Sequence, residues 1–148
     1  MTPLADWAPT YRQILVAVDG SRAAGAAVGH AVALARGAHA RITLLTVAPR
    51  KRCLGVVGVP SPPDLTASYV AALRATVATV PPDVGLVTGV AFGDAAREIV
   101  RVAREGAHDV IVMGGQRGRR RRAHGAVTRR VLRDAPVAVL LVPDAGGW

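Results

Sequence analysis

Between residues 110 and 142 the sequence reads VIVMGGQRGRRRRAHGAVTRRVLRDAPVAVLLV, an apolar run, a loop carrying Gly114, Gly115, Gly118 and Gly125, a helical pattern and a second apolar run. A glycine-bearing loop that opens a helix gathers unpaired backbone N–H groups at one point, where the positive end of the helix dipole also favours an anion. Arg117 and Arg119 to Arg122 add guanidinium groups, which match phosphate oxygens in charge and fork geometry. The chemistry these residues predict is binding of a nucleotide or another polyanion. No glycine is followed by Lys and Ser/Thr as a P-loop requires, and the first loop has only Gly20 where a dinucleotide fingerprint needs three glycines. Catalysis has little support: Ser21 has no assignable histidine, and His30, His39, His108 and His124 lack metal-ligand spacing. Each histidine is read as structural or surface, Cys53 beside Arg52 as an inert loop cysteine, and Asp94 as a helix cap. Asp19 stands open between a site residue and a cap.

A chain of 148 residues suffices for one domain that buries roughly 70% of its unfolded surface. Residues 1–10, with two prolines and no periodicity, read as an arm, and 11–148 as the domain. No run of about 18 apolar residues supports a membrane span. The opening MTPLADWAPTYRQ lacks the basic start and apolar core of a secretory signal, which predicts a cytoplasmic protein. A single cysteine agrees with a reducing compartment. The net charge of +9, nearly all arginine with Lys51 the only lysine, raises affinity for any polyanion without naming one.

The elements that must position these residues follow from periodicity. Gln13 to Val18, Arg41 to Val47, Gly85 to Val90, Asp109 to Met113 and Val137 to Val142 are apolar runs of the kind buried on both faces of a parallel sheet. Between them, helical spacing starts at Ser21 and ends near Gly37, runs from Asp64 to Val80, follows Asp94 through Ala96, Ile99, Val100 and Ala103, and spans Ala126 to Arg133. Gly25 and Gly29 within the first helix are expected to serve close packing. Pro49 to Pro63 reads as a long irregular stretch. Strands alternating with helices predict a doubly wound α/β fold with a parallel sheet covered on both faces. Ligands settle outside the carboxyl ends of such strands, where the strand order reverses. The loops Asp19-Gly20-Ser21 and Gly114 to Gly118 leave strands there.

Val16 to Ser21 (VAVDGS), Leu44 to Val47, Val110 to Gly114, Gly125 to Thr128 and Pro136 to Pro143 together resemble the universal stress protein family over nearly the whole chain. The resemblance implies a single five-stranded sheet of order 3-2-1-4-5, of the adenine nucleotide alpha hydrolase-like type, with the first and fourth strands adjacent. The family's ATP-binding members carry a glycine, two residues, a glycine, nine residues, then Gly-Ser or Gly-Thr. By that likeness Asp19 and the backbone of Val47 hold adenine, Met113, Gly115 and Gly118 line ribose and phosphate with Arg117 between them, and Gly125, Ala126, Val127 and Thr128 meet the phosphates at the helix start.

Two departures bear on the ligand. Six residues separate Gly118 from Gly125, and Ala126 stands where a hydroxyl residue is expected. One lost hydroxyl bond to a charged phosphate is worth about 1.5–3 kcal/mol. Three fewer residues remove up to about 10 Å of reach. The reading is therefore a cytoplasmic stress-response protein that binds ATP, with magnesium, or a related adenine nucleotide and signals by its bound state, hydrolysing slowly at most. The alternative is a member that binds no nucleotide and contacts a protein or polyanion through Arg119 to Arg122. The apolar last strand, at the sheet edge in the implied order, predicts a homodimer.

Overall fold

A computed structural model describes residues 10–53, 56–59, 63–115 and 125–144. The elements are β1 (Gln13–Ala17), α1 (Arg22–Ala38), β2 (Arg41–Ala48), β3 (Lys51–Cys53), β4 (Val56–Val59), α2 (Pro63–Val77), β5 (Leu86–Phe92), α3 (Ala95–Glu105), β6 (Val110–Gly115), α4 (Ala126–Asp134) and β7 (Ala138–Pro143). Five of the strands form one parallel sheet in the order β5-β2-β1-β6-β7. Counting only those five in chain order, this is the predicted 3-2-1-4-5. The chain winds outward from β1 through β2 to β5, then crosses back to β6 beside β1, so the strand order reverses between β1 and β6.

Alternation along the strands divides the core in two. Ile14, Val16, Ile42, Leu44, Val110 and Val112 face α1 and α2. Leu15, Leu45, Ile111 and Met113 face the other way, onto Ala96, Ile99 and Ala103 of α3 and Val131 of α4. Uninterrupted apolar runs in the sequence are what a sheet covered on both faces demands.

Local chemistry fixes the ends of the elements. The Ser21 hydroxyl accepts the Ala24 amide at 3.1 Å and starts α1, and the Asp94 carboxylate accepts the Arg97 amide at 2.9 Å and starts α3. Asp109, at the head of β6, accepts the amides of Arg12 and Gln13 at 2.7 and 2.8 Å, clipping β6 to the start of β1. Those two amides hold its carboxyl below the usual carboxylate range. His108 is buried, one ring nitrogen 3.2 Å from the Val102 carbonyl and the other 3.1 Å from the Thr43 hydroxyl.

Three expectations need correction. The stretch 49–63 carries a short antiparallel ribbon, β3 paired with β4, because β-branched residues at 56, 57 and 59 can pair despite the surrounding glycines and prolines. Helix α2 ends at Val77, before the prolines at 81 and 82. Gly25 and Gly29 do not serve close packing, since a Cβ on either would meet nothing within 4 Å. The close approach belongs instead to Gly114: a Cβ there would stand 2.5 Å from the carbonyl carbon of Ala23 and 2.6 Å from its oxygen.

Candidate functional site

A cavity of about 270 Å3 opens at the carboxyl ends of β1, β2 and β6, over the point where the strand order reverses. Its floor is Ala17 and Val18 from β1 and its exit, Leu45 and Val47 from β2, and Met113 and Gly114 from β6. Leu45 and Val47 share one face of β2 by the two-residue period of a strand. Ala95 and Ile99, one turn apart on α3, form one wall. Gly125, Ala126, Val127 and Thr128, at the start of α4, complete the lining.

The polar groups are few and concentrated at the mouth. Gly20 adopts φ +83, a left-handed turn that costs other residues about 1 kcal/mol or more and lets the chain reverse from β1 into α1. At this turn the Asp19 carboxylate is exposed and accepts the Ser21 amide at 2.9 Å. It therefore holds the turn and lines the cavity, while the cap of α1 is Ser21 and not Asp19.

Helix α4 differs from α1 and α3. Its N-cap is Gly125, and no side chain caps its first turn. The first three amides of a helix have no partner within it, so those of Ala126, Val127 and Thr128 are left to whatever occupies the cavity they line. Just outside, Asp94 at the head of α3 accepts Arg130 of α4 at 2.7 Å. That guanidinium, with the Arg97 amide after it, lowers the Asp94 carboxyl from its ordinary value. The pair bridges the helices that wall the cavity.

Of the residues singled out in the sequence, Asp19, Val47, Met113, Gly125, Ala126, Val127 and Thr128 come together around this cavity. Gly115 does not line it: it is buried at the end of β6, paired with Pro143, and the neighbouring Gly114 takes the place at the wall. Arg117, Gly118 and Arg119 to Arg122 lie outside the described residues. Ala95 and Ile99 went unnoticed as site residues, although their four-residue spacing behind the Asp94 cap marks one face of a helix that starts at the site. Among the described residues no group of three His, Cys, Asp or Glu could hold a metal ion, and no helix is long and apolar enough to cross a membrane.

The sequence matches the Universal stress protein family over residues 10–143. The chain belongs to the universal stress protein family. Among solved structures, a universal stress protein family member from Burkholderia pseudomallei is 30% identical with a TM-score of 0.73, the match covering 92% of this chain and 98% of that one. Universal stress protein UspA from Lactobacillus plantarum is 27% identical with a TM-score of 0.72, covering 91% and 99%. The universal stress protein from Archaeoglobus fulgidus solved in complex with dAMP is 21% identical, with a TM-score of 0.72 and coverage of 90% and 99%. Other universal stress proteins of this fold were solved with cAMP and, from Arabidopsis thaliana, with AMP. Among curated proteins no sequence matches.

Proposed function

We propose that this universal stress protein binds an adenine nucleotide in the cavity between β1, β2, β6 and α4, and that the bound state is its signal in a cytoplasmic stress response. The observation that carries the reading is the uncapped first turn of α4 opening on a mostly apolar cavity. Apolar walls from Val18, Leu45, Val47, Ile99 and Met113 suit a purine face, and unpaired amides at a helix start suit a phosphate. The dAMP, cAMP and AMP complexes of family members support the same ligand class. A cavity of about 270 Å3 holds base and ribose, with the phosphates at its mouth along Gly125 to Thr128. Asp19 and the Val47 backbone address the base, and Met113 with Gly114 the ribose. ATP, carrying magnesium in its phosphates, enters by the same route.

Isothermal titration with AMP, cAMP and Mg-ATP tests this. Saturable heat is expected, weakened at least tenfold in Val127→Glu, which sets a carboxylate against the phosphate. No heat at millimolar nucleotide, with the protein folded, overturns it. The molecule is further proposed to be a homodimer joined along β7, an edge strand of the sheet on which Leu140 is 38% exposed. Light scattering at micromolar concentration should give twice the chain mass, and a monomer refutes the arrangement.

A further inference from the structure

The opposite end of the sheet carries a second cavity, larger and differently lined, of about 740 Å3. Its walls come from Arg12 and Gln13 at the entry to β1, Arg41 at the head of β2, Arg36 and His39 at the end of α1, and Asp83 before β5. Charge there is unevenly matched. Arg36 donates through Nε and Nη2 to both oxygens of Asp83, at 3.0 and 2.9 Å, so the one carboxylate lining the cavity is occupied by one guanidinium. Asp109 stands beside Arg12 but gives its Oδ2 to backbone amides and does not line the cavity. Among the described residues the guanidinium groups of Arg12 and Arg41 form no close ion pair, although the Asp109 carboxylate lies within electrostatic reach of Arg12. The Arg41 stem runs beside Gly85, along the cavity wall.

One term opposes an anion here. The carbonyl end of α1 reaches the same cavity and carries the equivalent of roughly half a negative charge. The Arg41 guanidinium, together with an Arg12 guanidinium whose neighbour Asp109 is already engaged by two backbone amides, outweighs it, and the exposed His39 ring adds a further hydrogen-bonding group. Arg12 and Arg41 are neighbours, the Arg41 amide donating to the Arg12 carbonyl at 2.8 Å, and the cavity continues past them to Arg36 and His39, which leaves room for a ligand that presents more than one oxyanion.

We propose that this cavity binds a condensed phosphate chain, either free polyphosphate or the triphosphate tail of a nucleotide. Guanidinium forks match successive phosphate groups of such a chain. The site lies at the amino ends of the strands and is separate from the nucleotide cavity at their carboxyl ends.

The test is a titration of the 15N-labelled full chain with inorganic tripolyphosphate at fixed salt, followed by amide NMR. Saturable shifts are expected at Arg12, His39, Arg41 and Gly85. They should need at least tenfold more ligand in R12Q/R41Q, while the Gly125 to Thr128 amides respond as in the parent. R12K/R41K, which keeps charge but not the fork, should fall between. Both arginines are exposed, so the core is untouched. Shifts confined to the first turn of α4, or an unchanged response in R12Q/R41Q, overturn the proposal. A parallel ATP titration separates the sources: matching shifts at Arg12 and Arg41 assign the site to a triphosphate tail, and their restriction to tripolyphosphate assigns it to a free chain.

Discussion

Gly114 and Ala126 carry opposite constraints at the cavity. The first must stay bare, because any Cβ would enter the backbone of Ala23 at the start of α1. Neither strand end nor helix start can yield without opening the core between them, so G114A is expected to cost about 2–3 kcal/mol, read from the urea midpoint at unchanged slope. Ala126 leaves the first position of α4 without a hydroxyl. If phosphate sits there, A126S should tighten nucleotide binding by about 1.5–3 kcal/mol, or about ten- to a hundredfold in Kd by titration calorimetry, with AMP and ATP alike. An unchanged Kd would place the phosphate elsewhere. Part of this was legible beforehand: turn residues after an apolar run mark a strand's carboxyl end, which pointed to the loops at Asp19 and Gly114 that now line the cavity, whereas Met113 was named by the family resemblance. The choice between Gly114 and Gly115 was not, since adjacent glycines differ only in which side of the strand they face, and pleat phase is a tertiary property.

At the scale of elements, the period of the apolar residues carried most of the information. Strands buried on both faces and helices with one apolar stripe leave different spacings in the sequence, and the main sheet and its covering helices followed from them. The β3–β4 ribbon did not, because strands of three and four residues are too short to leave a period and were hidden among glycines and prolines. Helix α1 shows the limit of composition in the other direction. Its glycines at 25 and 29 look like packing contacts, yet both are exposed with open space where a side chain would go. Nothing then offsets their cost in backbone entropy, and G25A and G29A should each raise stability by about 1 kcal/mol, adding in the double variant. A loss in either, measured by thermal unfolding, would mean that this face of α1 meets something in the assembled protein.

For the molecule as a whole, acid is the informative perturbation. Arginine and lysine number 19 against 10 acidic residues, so protonating the carboxylates leaves a chain that repels itself. Superimposed on that is the loss of specific bonds. Asp83 and Asp134 pair with exposed arginines, and such surface pairs are worth little. Asp109 is different, half-buried and bonded to two backbone amides that join β6 to β1, the strands between which the order reverses. Its carboxyl is held low in the folded chain, so its contribution is complete above the unfolded value near 3.9 and is lost as pH falls through the lower folded value. Stability should therefore hold down to about pH 5 and decline below about pH 4. D109N removes that titration, so it should be less stable than the parent at pH 7 and lose less between about pH 4 and pH 2, whereas D134N should keep the parent's acid limb. Salt separates the two causes. Long-range repulsion is screened within about 10 Å at 0.1 M, while a bond of 2.7 Å is not, so the difference between D109N and parent should survive 0.5 M salt. If salt erases it, general charge rather than the β1–β6 clip governs the acid limb.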